Sequence, residues 1–222
     1  MKYQLIVLFG PPGSGKGTQA AALDKNESYV QLGMSTMLLN YTKLNGHTKE
    51  ESARILRINE QFKSGGLVSF DDVVTIMKEK FKYNLKKGKR MTLDGFPRTE
   101  NQAIWLSGLI TKEKVKTLFI HFDLSLATAL KRIQNRYFVP SNKNIYMSYE
   151  LALVDCKGDE KPFQRDLDKD MEIVKKRYHE QYSMDKDEII DGLINNSFVD
   201  MLDIDADLPI DDITKIIEKK LI

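Results

Sequence analysis

The sequence predicts an α/β fold, a doubly wound parallel five-stranded sheet interrupted by two insertions. Three observations carry that reading. Short apolar runs alternate with segments of helical periodicity. The first run breaks directly into a glycine-rich turn that opens a helix. Two polar stretches interrupt the alternation without the patterning of a core. At 222 residues and 41% hydrophobic, the chain can bury one full core, and its length suits a single α/β domain with insertions.

The first strand is expected at 4–9, where Leu5-Ile-Val-Leu-Phe9 is unbroken, as in a strand covered on both faces. A helix follows at 16–23, then a strand at 29–32. Helices at 36–44 and 49–61 fall in the first insertion, residues 34–68. The alternation resumes with helix 70–83 and strand 90–93, helix 99–110 and strand 117–122, and helix 125–134. The second insertion, residues 137–167, is polar and tyrosine-rich and contains Pro140, Gly158 and Pro162. Helix 168–182, strand 198–204 and helix 210–221 close the chain. The expected core is therefore 1–33, 69–136 and 168–222. Insertions over the carboxyl edge of a parallel sheet are where ligands bind in such folds, and long loops there act as lids.

Chemistry begins at Gly10-Pro-Pro-Gly-Ser-Gly-Lys-Gly-Thr18. Its glycines let successive N–H groups turn onto one anion, while the helix starting near Lys16 aims its positive end there. Gly13, Ser14, Gly15, Lys16, Gly17 and Thr18 are thus expected to hold nucleotide phosphates, with Lys16 reaching the outer ones. The pattern Gly-x4-Gly-Lys is met by Gly10, Gly15 and Lys16, but Gly17 comes next and the hydroxyl one later, at Thr18. A second cluster follows the third strand. Asp94 at the strand end suits a magnesium ion held through water, since magnesium keeps most of its hydration. Gly95 permits close approach, Arg98 offers a planar fork to a phosphate, and Gln102 offers an amide to a base edge.

Composition narrows the partners. Lys+Arg 34 against Asp+Glu 32 leaves a net charge of +2, too balanced to advertise nucleic acid or an anionic membrane. Lys86-Lys-Gly-Lys-Arg90 reads as a solvated helix end and turn. Cys156 is the single cysteine, so no disulfide forms within one chain and a multi-cysteine zinc site is not expected. His47, His121 and His179 are scattered, and His121 ends a strand, where a satisfied structural histidine is expected. The first apolar run is far shorter than the roughly 18 residues a membrane span needs. A reducing, cytoplasmic setting is the expectation.

The loop and Asp94-Gly-Phe-Pro-Arg-Thr-x-x-Gln102, taken together, resemble the adenylate kinase family in its long-lid form, over nearly the whole chain. The resemblance extends through Lys131-Arg-Ile-x-x-Arg136, Pro140-Ser141, Ile145-Tyr146, Arg165, Glu172-x-Val-x-x-Arg177 and Ile204-Asp-Ala-x-x-Pro209. It implies a P-loop fold with a monophosphate-binding insertion at 34–68 and a lid at 137–167. It also implies magnesium-dependent transfer of the ATP γ-phosphoryl to AMP, by a monomer. Lys16 and the loop would hold the donor phosphates, Arg132 and Arg136 the donor base and phosphates, and Leu208 would lie in the loop against that base. Arg165 and Arg177 would close over the transferring group. Arg98 would hold the acceptor phosphate, Gln102 its adenine, with Gly95 and Val68 beside it. Catalytic roles are thus implied for Lys16, Arg98, Arg136, Arg165 and Arg177.

Departures from the family fall mainly on the acceptor. Counted without gaps from Lys16, the Ser-Thr-Gly-Asp segment falls on Gly33-Met34-Ser35-Thr36 and the monophosphate-gripping arginine on Leu39. A gapped alternative keeps Ser35-Thr36 but loses the Gly-Asp pair. The first insertion is longer than usual near residues 55–62, and Arg54, Arg57 and Lys63 are possible substitutes for the missing arginine. In the lid the Asp-Asp pair expected after Arg165 reads Asp168-Lys169, displaced by one residue, and the four zinc ligands of some relatives are absent. Three functions stay open: an adenylate kinase with a remodelled acceptor site, a kinase for another monophosphate, or a non-catalytic nucleotide binder. Gln102 argues against the second, and Asp94 with Arg98, Arg136, Arg165 and Arg177 against the third.

Overall fold

The computed structural model describes residues 2–25, 29–43, 48–64, 66–141 and 145–222. In chain order, β1 (Leu5–Phe9) leads to α1 (Lys16–Lys25), and β2 (Val30–Gly33) to α2 (Met34–Tyr41), α3 (Lys49–Ser64) and α4 (Phe70–Lys86). Next, β3 (Met91–Asp94) leads to α5 (Glu100–Glu113) and β4 (Thr117–Asp123) to α6 (Leu126–Gln134). The second insertion holds β5 (Tyr137–Phe138), β6 (Ile145–Tyr146) and α7 (Tyr149–Val154). The chain returns through α8 (Asp166–Lys169), α9 (Met171–Tyr178), a π-helical turn (His179–Ser183) and α10 (Lys186–Ile194), and ends with β7 (Val199–Asp205) and α11 (Ile210–Leu221).

The sheet runs β2-β3-β1-β4-β7 with every pairing parallel. Its centre is β1, whose Leu5 pairs with Met91 on one side and Thr117 on the other. Leu5, Val7 and Phe9 enter one core with residues of α4, α5 and α10, while Ile6 and Leu8 enter the other with residues of α1, α6 and α11. Burial on both faces explains why that run is apolar without alternation. Each such side chain contributes about 1.5–3 kcal/mol, so the strand is a rigid mount for the loop that follows it. Phe9, Gly33, Asp94, Asp123 and Asp205 bring five strand ends to one edge of the sheet.

The α/β alternation is as expected, with strand ends displaced by about one residue. Helix starts follow from capping: Ser69 accepts from the N–H of Asp72, Thr99 from that of Gln102 and Ser125 from that of Thr128. Two differences have local causes. The helix expected at 168–182 is broken at Asp170, whose extended backbone and carboxylate cap Glu172 and Ile173 and restart the helix as α9. The unexpected α10 packs on α5 through Gly192, where a Cβ would lie 3.3 Å from Ala103. A short, charged stretch with a glycine in its last turn carries little helical signal of its own.

Candidate active site

The glycine-rich loop joins β1 to α1 at the carboxyl edge. Gly10 has φ +154°, and a Cβ there would sit 2.6 Å from the carbonyl oxygen of Phe122, so the turn is closed to any larger residue. Lys16 folds back over the loop. Its Nζ donates to the carbonyls of Gly10 and Pro11, both at 2.7 Å, and to Ser14 Oγ at 3.2 Å. Burial lowers its pKa from 10.5 to about 8, opposed by Asp94 and reinforced by Arg98, Arg136 and Arg177.

Above the loop lies a cavity of about 560 Å³ whose lining includes Gly13–Thr18, Asp94, Arg98, Arg132, Arg136, Arg165 and Arg177. One wall is the loop after β7, from Ala206 through Leu208 to Ile210. Arg132 ties that wall to the phosphate loop, donating to the carbonyl of Ala206 at 2.7 Å and to that of Gly13 at 3.5 Å. The segment between α6 and α8 contributes Ile145 and Met147. The loop residues, Arg132, Arg136, Arg165, Arg177 and Leu208 thus line one cavity.

Buried Asp168 organises two of these cations. It pairs with Arg136 at 2.6 Å and with Arg177 at 3.2 Å. Arg165 has no acidic partner among the described residues and lies over the Phe138 ring at 4.2 Å. Burial lowers the pKa of both Arg165 and Arg177 and takes Arg98 down to about 10, with Asp94 opposing in the last case. Among the described residues Arg136 Nε is buried without an acceptor. Such a surplus of desolvated cations is a site prepared for a polyanion.

A second cavity of about 90 Å³ adjoins the first and shares Ser35, Gly95, Arg98, Arg177 and Gln181 with it. Met34, Leu38, Val68 and Gln102 line it from the other side. Gln102 Oε1 accepts the backbone N–H of Arg98 at 2.8 Å, which leaves the amide NH2 as the group it can offer a ligand. Leu39 does not join this lining and is 46% exposed. The suggested substitutes also point elsewhere, because Arg54 and Arg57 both bind Asp72, at 2.9 Å and 2.7 Å. The side chain of Lys63, like His47, lies outside the described residues.

Gln181 is a site residue that sequence reasoning did not name, while Ser35 entered only through the acceptor-segment alignment and Asp168 only as the displaced carboxylate after Arg165. Gln181 had a readable signal, lying four residues after Arg177 on one helical face. Asp94 is a fitting donor for magnesium: its carboxylate faces the phosphate loop, 3.7 Å from where a Cβ on Gly17 would be. Among the described residues no three of His, Cys, Asp and Glu are grouped to hold a metal unaided, and no helix is long and apolar enough to cross a membrane. His121 is a satisfied histidine, as expected, bonded to Asp203 and Tyr182.

The adenylate kinase family model matches residues 8–197. The chain is 28% identical over 221 residues to adenylate kinase of Wolbachia pipientis wMel, covering 98% of this chain and 97% of the relative. It is 32% identical over 224 residues to the adenylate kinase of Borrelia garinii subsp. bavariensis, covering 96% of each. Against that of Petrotoga mobilis it is 30% identical over 219 residues, covering 95% of this chain and 94% of the relative.

Proposed function

Because the chain belongs to the adenylate kinase family, we propose that ATP occupies the larger cavity and AMP the smaller, and that the γ-phosphoryl passes between them at their shared wall. The protein is a phosphotransferase, a nucleoside monophosphate kinase. The observation that carries the assignment is the convergence of Lys16, Arg98, Arg136, Arg165 and Arg177 on connected cavities. Phosphoryl transfer needs little covalent help and much charge neutralisation in a site that keeps water from becoming the acceptor. Cations from the loop, the core and the lid edge supply the first. The lid supplies the second.

Lys16 and the loop hold the donor phosphates, and Arg132 with Leu208 flank its base. Arg98 holds the acceptor phosphate, and Gln102 presents its NH2 to the adenine. Asp168 keeps Arg136 and Arg177 close until a phosphate competes for them. Asp94 would hold magnesium through water, and the ion would neutralise phosphate charge. One chain provides both cavities and every cation, which supports a monomer as the working unit.

The test is a coupled assay of diphosphate production from ATP with AMP, GMP, CMP or UMP. AMP is expected to react fastest, giving two ADP. A faster reaction with another monophosphate would transfer the acceptor assignment to that base and leave the donor site standing.

A further inference from the structure

Behind the transfer arginines lies a polar chain, buried at His121 and Tyr182 and exposed at its two carboxylate ends, that the reaction as described does not use. His121, near the end of β4, is 5% exposed. Its Nδ1 lies 2.9 Å from Asp203 Oδ1 on β7, and its Nε2 lies 3.0 Å from the hydroxyl of Tyr182 in the π-helical turn. That hydroxyl donates in turn to Asp123 Oδ1 at 2.8 Å. The proton count decides what this chain requires. Carboxylates only accept, a phenol donates once, and a neutral imidazole donates once, which gives two protons for three hydrogen bonds. The third proton is present only when the imidazole carries both. With one ring proton, the Tyr182 hydroxyl must choose between Asp123 and His121 Nε2. Two observations hold the other partners in their roles. Burial keeps the Tyr182 phenol protonated by pushing its pKa far up. The Tyr182 hydroxyl, outweighing burial and aided by Lys186 and His121, holds Asp123 below the usual carboxylate range.

The end of α9 and the π-helical turn that continues it carry two faces. Arg177 on α9 and Gln181 in the turn line the cavities, while Tyr178 on α9 and Tyr182 in the turn pack into the core. Tyr178 is fixed by its bond to the carbonyl of Leu124 at 2.8 Å, and Tyr182 packs against Phe9, the residue before the phosphate loop, with ring centroids 5.4 Å apart. We propose that His121 is a positioning residue for phosphoryl transfer: carrying both ring protons, it completes the chain from Asp203 through Tyr182 to Asp123 that fixes the π-helical turn and so places Arg177 and Gln181. The proposal rests on the reading that Arg177 meets the transferring group. Among the described residues, the charged and titratable groups around the chain are Asp203 on β7, Asp123 at the end of β4, Tyr178 on α9, and Lys186 and Asp187 at the start of α10, with Lys186 3.6 Å from Asp123.

The test combines a direct proton count with kinetics. Nitrogen NMR of histidine-labelled wild-type protein, with His121→Gln identifying the signal, should find both ring nitrogens protonated where turnover is highest. At any pH where those spectra show a single ring proton, kcat at saturating ATP and AMP should be roughly three- to tenfold lower, the effect of one hydrogen bond, with the KM for ATP unchanged. In Tyr182→Phe, which keeps the ring and loses the hydroxyl, that difference should vanish and kcat should stay at the lower level. A single ring proton throughout the active range, or the same difference in Tyr182→Phe, overturns the proposal. Arg177→Ala is measured in parallel. An unchanged kcat there would refute the role of Arg177, whereas the proton count tests the chain by itself.

Discussion

Lys16 has two sets of partners open to it, the loop carbonyls it now holds at 2.7 Å and the phosphates of a bound nucleotide. With its pKa lowered to about 8 by burial, a phosphate beside it will raise that value, so ATP binding should take up protons. Calorimetry near pH 8.5 in buffers of different ionisation heat should detect the uptake, and Lys16→Met should abolish it. The sign for stability follows the same shift. Between about 8 and 10.5 the unfolded chain binds the extra proton, so this group's contribution to stability rises with pH across that window. Lys16→Met should lower kcat by about a hundredfold or more with no loss in melting temperature. At the acceptor, Gln102→Glu keeps an acceptor for the Arg98 N–H and loses the NH2. The KM for AMP should rise roughly three- to tenfold while that for ATP holds. The loop and its lysine were legible from sequence because glycine spacing alone specifies them. Ser35 was not assigned, because α2 begins at Met34, two residues before the expected start, and that register decides which side chains face the cavity.

The first insertion is tied to the core by one buried carboxylate. Asp72 on α4 accepts Arg54 Nε at 2.9 Å, Arg57 Nη2 at 2.7 Å and the Ser69 hydroxyl at 2.9 Å. Burial alone would raise its pKa, but Arg57, Ser69 and Arg54 outweigh it and hold the group below the ordinary range. Its stabilisation is therefore present above the ordinary carboxylate pKa and is lost as pH falls through the depressed one. Asp72→Asn should cost about 3 kcal/mol, the low end for breaking a buried pair because Arg57 is half exposed. Urea unfolding would measure it. Arg54 and Arg57 read as candidate phosphate ligands from charge alone, since a sequence does not display the carboxylate that claims them. The strands were legible for the opposite reason, as burial on both faces writes itself into unbroken apolar runs. The break at Asp170 and the helix at 186–194 depend on one cap and one close helix contact, and neither leaves a periodic trace.

Taken as a whole, the molecule holds Lys16 and the five arginines around one connected space, with Asp94 and Asp168 among the few carboxylates that face them. Ligand-free, these cations repel one another and are partly stripped of water, as the lowered pKa values of Lys16, Arg98, Arg165 and Arg177 record. A triphosphate relieves both costs at once, so ATP should stabilise the fold strongly. At a hundredfold its Kd, mass action gives about 2.7 kcal/mol, which at about 2–4 °C per kcal/mol for a chain of this size corresponds to a rise in Tm of roughly 5–10 °C. Of these cations the second cavity is lined by Arg98 and Arg177, so a monophosphate there meets fewer of them than a triphosphate in the first. AMP alone should therefore raise Tm less than ATP does, because its single phosphate relieves less of the cation repulsion. Inorganic tripolyphosphate should reproduce most of the ATP shift, since the cations and not the base carry it, and raising salt should reduce both shifts together. A tripolyphosphate shift near zero beside a full ATP shift would mean that the wall formed by Arg132 and Leu208, and not the cation cluster, dominates donor binding.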